Sequence, residues 1–133
     1  MLRLATKEDE PLIKQIHKEC KDEIGSFNLY QIWDNYLSRK AKYKYLVYDD
    51  CAFVRFGKSR KYKMHTIYDI GVLKSHRGQG IGKKIIDKLP RPLILKCNCD
   101  NDAGNAFYKK IGMRLLGKVK SKNGKKFMNL WRF

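Results

Sequence analysis

A mixed α/β fold in one domain over residues 1–133 is what this sequence predicts, on three observations. The chain has 133 residues, a length that suits one domain. Hydrophobic residues make up 43% of it, enough to build one core. Strand patterns and helix patterns alternate, with no repeat, low-complexity tract or linker between them. The predicted order is β-α-α-β-β-β-α-β-α-β-β, an α+β arrangement around a mixed sheet.

Each element has a local reason. Residues 1–5 read as a short strand. Thr6 is placed to cap the first helix, and Glu8 and Asp9 suit its first turn. Leu12, Ile16, Cys20 and Ile24 recur every four residues, with Ile13 beside them, and form one apolar stripe. Gly25 and Ser26 end that helix. A second helix spans about residues 28–39, where Leu29, Ile32, Trp33, Tyr36 and Leu37 make an aromatic core face. Strands at 44–48 and 51–57 flank Asp49 and Asp50, which suit a tight hairpin turn. Residues 58–63 are basic and exposed, and 64–73 form the next strand. A short helix at 82–89 carries Ile85, Ile86 and Leu89, and Pro90 and Pro92 close it. A buried strand runs from Leu93 through Cys99. A helix at 103–111 ends at Gly112. Residues 113–119 and 126–133 form a hairpin, with Ser121, Lys122, Asn123 and Gly124 as its turn.

Composition excludes several classes. No apolar run approaches the roughly 20 residues needed to span a bilayer. No signal-type apolar segment follows residues 1–5, so a soluble, cytoplasmic protein without membrane partners is expected. Four cysteines, Cys20, Cys51, Cys97 and Cys99, are expected as reduced thiols. The Cys97/Cys99 pair is C-x-C and lacks a second pair at zinc spacing, so no metal site is expected. The net charge is +17 and is uneven. Residues 1–64 carry 14 Lys/Arg against 9 Asp/Glu, whereas residues 65–133 carry 16 against 4. Such a field attracts polyanions: nucleic acid, a nucleic-acid-bound protein, or a phosphate-rich ligand. It also serves solubility alone.

The segment Arg77-Gly78-Gln79-Gly80-Ile81-Gly82 stands between a strand and a helix start. That placement aims free backbone N–H groups at whatever sits there. Gly78, Gly80 and Gly82 let the backbone turn sharply and approach a bulky anion. Arg77 adds a planar permanent cation. Lys83 and Lys84 are unfavourable to the helix dipole in the first turn, which fits a compensating anion. The P-loop pattern is absent, and the Rossmann spacing with its later acidic residue is absent too.

The stretch from Ile70 through Val72 to Gly82 resembles the coenzyme-A signature of the GNAT superfamily of N-acetyltransferases, an apolar strand followed by R/Q-x-x-G-x-G/A. Arg77, Gly80 and Gly82 fill its key places. Downstream, Asn101 to Met113, with Phe107, Tyr108, Lys110 and Gly112, resembles the family's N-x-x-A-x-x-F/L-Y-x-K-x-G-F segment. The element order agrees as well.

The resemblance implies acetyl-CoA as co-substrate, no metal, and acetyl transfer to a primary amine by direct attack in a ternary complex. It implies that the fourth and fifth strands splay and hold the pantetheine arm through backbone groups of Ile70 and Val72. It places the pyrophosphate on Gln79, Gly80, Ile81, Gly82 and Lys83, and an oxyanion on a backbone N–H of the fourth strand. Tyr108 is the implied general acid, since a phenol is protonated at neutral pH and can donate to a departing thiolate. Asn101 either bonds the pantetheine arm or caps the next helix. The fourth strand offers His65 and Asp69 as candidate general bases, though each also reads as an ordinary surface residue. A neutral amine needs no base. The acceptor and the oligomeric state are not legible, and a basic GNAT-like module that binds nucleic acid without catalysis is the alternative reading.

Overall fold

The structure, a computed structural model, describes residues 1–21, 29–121 and 124–133. Ile24, the helix end expected at Gly25 and Ser26, the second helix's expected start at Asn28, and the turn residues Lys122 and Asn123 lie outside those residues. The described elements follow the expected order. They are β1 (Leu2–Leu4), α1 (Glu10–Glu19), α2 (Leu29–Leu37), β2 (Lys44–Tyr48), β3 (Ala52–Lys58), β4 (His65–Val72), α3 (Ile81–Asp87), β5 (Leu93–Asn98), α4 (Asp102–Lys110), β6 (Arg114–Lys120) and β7 (Phe127–Arg132). One 3-10 turn, Lys7–Asp9, precedes α1, and a second, Lys74–His76, follows β4.

The entry to α1 differs in detail from the expectation. Asp9 is buried, and its carboxylate accepts the Thr6 backbone N–H at 2.8 Å. Both Arg3 terminal nitrogens donate to the same carboxylate at 2.8 Å. This charge-assisted fork holds the Asp9 carboxyl below its ordinary range and ties β1 to the helix start. The β2–β3 turn has Asp49 and Asp50 at φ 46° and 54°. Tyr48 pairs with Ala52, so the loop holds three residues, and the Cys51 N–H closes a tight turn on the Tyr48 carbonyl at 3.0 Å with both central residues at positive φ.

The seven strands form one mixed sheet in the order β1-β2-β3-β4-β5-β7-β6. All neighbours are antiparallel except β4 and β5. Alternating side chains feed two cores. Ala52, Val54 and Leu95 pack with Ile85, Ile86 and Leu89 on the α3 face. Tyr45, Val47 and Phe53 pack with Ile13, Ile16 and Trp33 on the α1–α2 face. The aromatic stripe of α2 is therefore core: Trp33 is 2% exposed and lies edge-on to Tyr45 at 5.1 Å.

β4 contains a bulge. Arg55 pairs with Asp69 and Phe56 pairs with Ile67, leaving Tyr68 as an extra residue. An extra residue shifts the alternation of faces. Ile67 and Ile70 consequently both join the α3-side core, although they are three residues apart. No helix among the described residues is long and apolar enough to cross a membrane.

Candidate functional site

The site begins with a divergence in the sheet. β4 and β5 pair only at His65–Leu93, Thr66–Ile94 and Ile67–Leu95. Beyond Ile67, β4 continues to Val72 on its β3 side alone. Its other backbone edge thus faces an opening rather than a strand. A cavity of about 640 Å³ lies there. Ile70, Gly71 and Val72 form one wall, and Ala103, Phe107, Tyr108 and Ile111 of α4 form another.

The glycine-rich turn closes one end. Gly78 and Gly80 have φ of 81° and 74°, and a Cβ on either would meet nothing within 4 Å. Glycine is needed there for backbone freedom, not for space. Gly82 is different. A Cβ on it would stand 3.1 Å from Phe107 Cζ, so its bareness lets α3 lie against α4. Arg77 Nε donates to the Val72 carbonyl at 3.3 Å, and its Nη2 lies 3.0 Å from Cys20 Sγ. The guanidinium therefore fastens the turn to the ends of β4 and α1 while lining the cavity.

Tyr108 lies on α4 against Phe107 at 5.3 Å and Trp131 at 6.4 Å. Burial, with a smaller push from Cys97, raises its phenol above the ordinary value. Tyr108 is among the residues that line the cavity, and the raised phenol keeps its proton at neutral pH.

α4 is anchored by Asn105. Its amide donates to the carbonyls of Asn98 and Asn101 at 3.0 and 2.9 Å. Its carbonyl accepts from Asn129 at 3.0 Å and from the Trp131 indole at 2.9 Å. All four bonding positions of one side chain are used, joining α4 to β5 and β7.

Residues 41–114 match the family model for the acetyltransferase (GNAT) domain, more than half of the chain. The chain belongs to the GNAT family. Over 71 residues this GNAT chain is 31% identical to a 5-NmdU N-acetyltransferase of Pseudomonas phage PaMx11. That match covers 50% of the chain and 51% of the phage protein, so the chain spans about half the length of that relative. Two solved structures share the fold. A GNAT-family protein from Desulfovibrio desulfuricans superposes with a TM-score of 0.76 at 15% identity, covering 100% of this chain and 97% of that one. NAA60 of Arabidopsis thaliana in complex with acetyl-CoA gives 0.75 at 16% identity, covering 100% and 97%.

Of the residues singled out in the GNAT sequence, the structure gathers Ile70, Val72, Arg77, Gly78, Gly80, Ile81, Gly82, Lys83 and Tyr108 around the one cavity. Lys83 also pairs with Asp87 at 2.8 Å, one turn along α3. Four others lie outside the lining. Gln79 is exposed on the turn. Asn101 caps α4, its Oδ1 accepting the Gly104 N–H at 2.9 Å. His65 sits at the opposite end of β4, paired with Lys58 and Leu93. Asp69 is buried beside Arg55, with Nε at 2.5 Å. Burial raises its carboxyl above the ordinary value, and the Arg55 charge opposes that rise. Arg55 in turn stacks over Tyr43 and Tyr68 at 4.7 and 5.0 Å. Asp69 is thus part of a closed polar cluster on the α1–α2 side, not the surface residue the sequence allowed.

Sequence reasoning missed Cys20, Phe107 and Asn105. It had a signal for the Arg55–Asp69 pair: each is a charge in the interior of its strand, Lys58 standing only at the end of β3, and the two strands are neighbours.

Proposed function

We propose that this chain is an acetyl-CoA-dependent N-acetyltransferase that acetylates a primary amine by direct attack in a ternary complex. The cavity between β4 and α4 carries the reading, because it combines a free strand edge, a glycine turn at a helix start and a protonated tyrosine. The residues present fit acetyl-CoA. The β4 edge at Ile70 and Val72 offers backbone groups for an extended arm to pair with, as in strand addition. The turn at residues 78–83 offers N–H groups and the Arg77 and Lys83 cations to a diphosphate. The acetyl-CoA complex of the NAA60 relative supports the same co-substrate.

Acetyl-CoA supplies an acetyl thioester: the amine nitrogen gains the acetyl carbon, and the sulfur departs with a proton. Within the chain, an N–H of the β4 edge polarises the thioester carbonyl. Tyr108 holds a proton at Oη for the leaving sulfur. Neither His65 nor Asp69 lines the cavity, so neither serves as base in this reading; the amine attacks in its neutral form and its proton leaves to solvent. The phage relative is named for 5-NmdU, which makes 5-NmdU the first acceptor to assay.

Two measurements test the reading. Acetyl-CoA at 100 times its Kd should stabilise the fold by about 2.7 kcal/mol and raise Tm. Absence of any shift at millimolar ligand refutes the site. Tyr108→Phe should lower kcat by about 100-fold while the acetyl-CoA shift persists. Unchanged turnover removes Tyr108 from the chemistry.

A further inference from the structure

The last quarter of the chain has one sign of charge. No Asp or Glu follows Asp102, whereas nine Lys or Arg do. Four of these collect at the tip of the β6–β7 hairpin: Lys118 and Lys120 at the end of β6, Lys125 and Lys126 just before β7, all exposed.

One large ring stands among them. Phe127 is 54% exposed, so burial does not account for it. Lys120 is paired with Phe127 and Lys118 with Asn129. Side chains of paired residues, and of residues two apart, leave the same face of a sheet. Lys118, Lys120 and Phe127 therefore share one face. Phe127 lines a cleft of about 490 Å³ with Lys118, Lys125, Lys126, Cys99 and Asp100. Three ammonium groups face one carboxylate there.

The tip also stands on the functional edge of the sheet. β5 runs parallel to β4, β7 antiparallel to β5, and β6 antiparallel to β7. Val72, Asn98, Phe127 and Lys120 consequently end on the same edge, from which the glycine turn also departs.

A ring set among lysines is what a single strand of nucleic acid needs: a platform for a base and cations for its phosphates. An acidic peptide uses the cations and leaves the ring idle. An anionic bilayer needs a broad apolar face beside the cations, and the cleft offers one ring. We propose that the β6–β7 tip is a single-stranded nucleic-acid surface that presents the acceptor amine to the cavity, the presenting role resting on the acetyltransferase reading above.

The test uses the whole chain and a fluorescent 20-nucleotide oligothymidylate. If the four lysines each displace a counterion, log Kd against log salt has a slope of about 2.8, or about 50-fold weaker binding between 50 and 200 mM salt. Lys118→Glu with Lys126→Glu should cut that slope to about half. Phe127→Ala should weaken binding about ten-fold through lost stacking. Every variant should keep the acetyl-CoA shift in Tm, which checks both folding and the co-substrate site. An oligonucleotide bearing a primary amine on one base should be acetylated at lower KM than the free amine, an advantage the double variant loses. No binding at 50 mM salt overturns the proposal. So does binding that the variants leave unchanged, or displacement by polyglutamate or phosphatidylserine vesicles at equal charge concentration. Oligonucleotide binding without an acetyl-CoA shift instead removes the acetyltransferase reading and the presenting role with it.

Discussion

Replacing Asn105 by Ala removes the four hydrogen bonds that fix α4 to the sheet, and its cost follows from what each partner keeps. The Asn98 carbonyl still accepts from Asn101 N, and the Asn101 carbonyl still accepts from Asn105 N. Each of those losses, like that of the half-buried Asn129 amide, is an ordinary bond, about 0.5–1 kcal/mol. The Trp131 indole N–H keeps no partner, and Trp131 is only 5% exposed. Leaving such a buried donor bare costs about 1–3 kcal/mol. The total is about 3 kcal/mol, or about 10 °C in Tm for a domain of this size. Calorimetry of the wild type, Asn105→Ala, Trp131→Phe and the double variant measures it. Trp131→Phe should cost at least 1 kcal/mol less (roughly) in the Asn105→Ala background than in the wild type. A Tm loss below about 3 °C, or equal costs in the two backgrounds, refutes the account. Tyr108 lies one turn further along α4, so kcat should fall as well, with the acetyl-CoA shift retained.

Two further outcomes follow from single side chains. Burial, with help from Arg55, lowers the His17 pKa from 6.5 to about 4. Between those values the unfolded chain binds more protons than the folded one, so stability rises with pH across the window and falls on acidification through it. His17→Phe, which keeps a ring against Phe53, should flatten that dependence in denaturant titrations at pH 4 to 7; an unchanged slope rejects the assignment. Gly80→Ala forces a side chain to φ 74° with no steric contact to relieve. It should cost about 1–2 kcal/mol and weaken acetyl-CoA binding, whereas a neutral result in thermal melts shows that the turn relaxes.

The fold was largely legible because its signals are local. Periodic stripes, the Asp49–Asp50 turn and the Gly112 helix end each depend on a few neighbouring residues. The cavity end of the site was legible for the same reason, since residues 70–83 form one continuous stretch. What the sequence hid is set by tertiary register. Asn101 and Asn105 differ by one helical turn, yet one caps α4 and the other holds it to β7. Cys20 reaches the cavity only because α1 ends beside Val72 and Arg77. Asp69 looks like a free acid on a strand until the extra residue at Tyr68 sets which side chains share its face.

The three register pairs between β4 and β5 also bear on the order in which the chain assembles. β1 to β4 form a sequential antiparallel run, and β5 to β7 form a separate group with its own helix. The first group needs nothing beyond Val72 for its ladder, so it can pair as soon as that residue leaves the ribosome. The second must then dock through Leu93, Ile94 and Leu95 while Ile85, Ile86 and Leu89 cover the seam. Docking a preformed sheet edge through so few backbone bonds leaves side-chain packing as the main adhesive. If the second group docks last, the step that completes the fold is also the one that shapes the cavity.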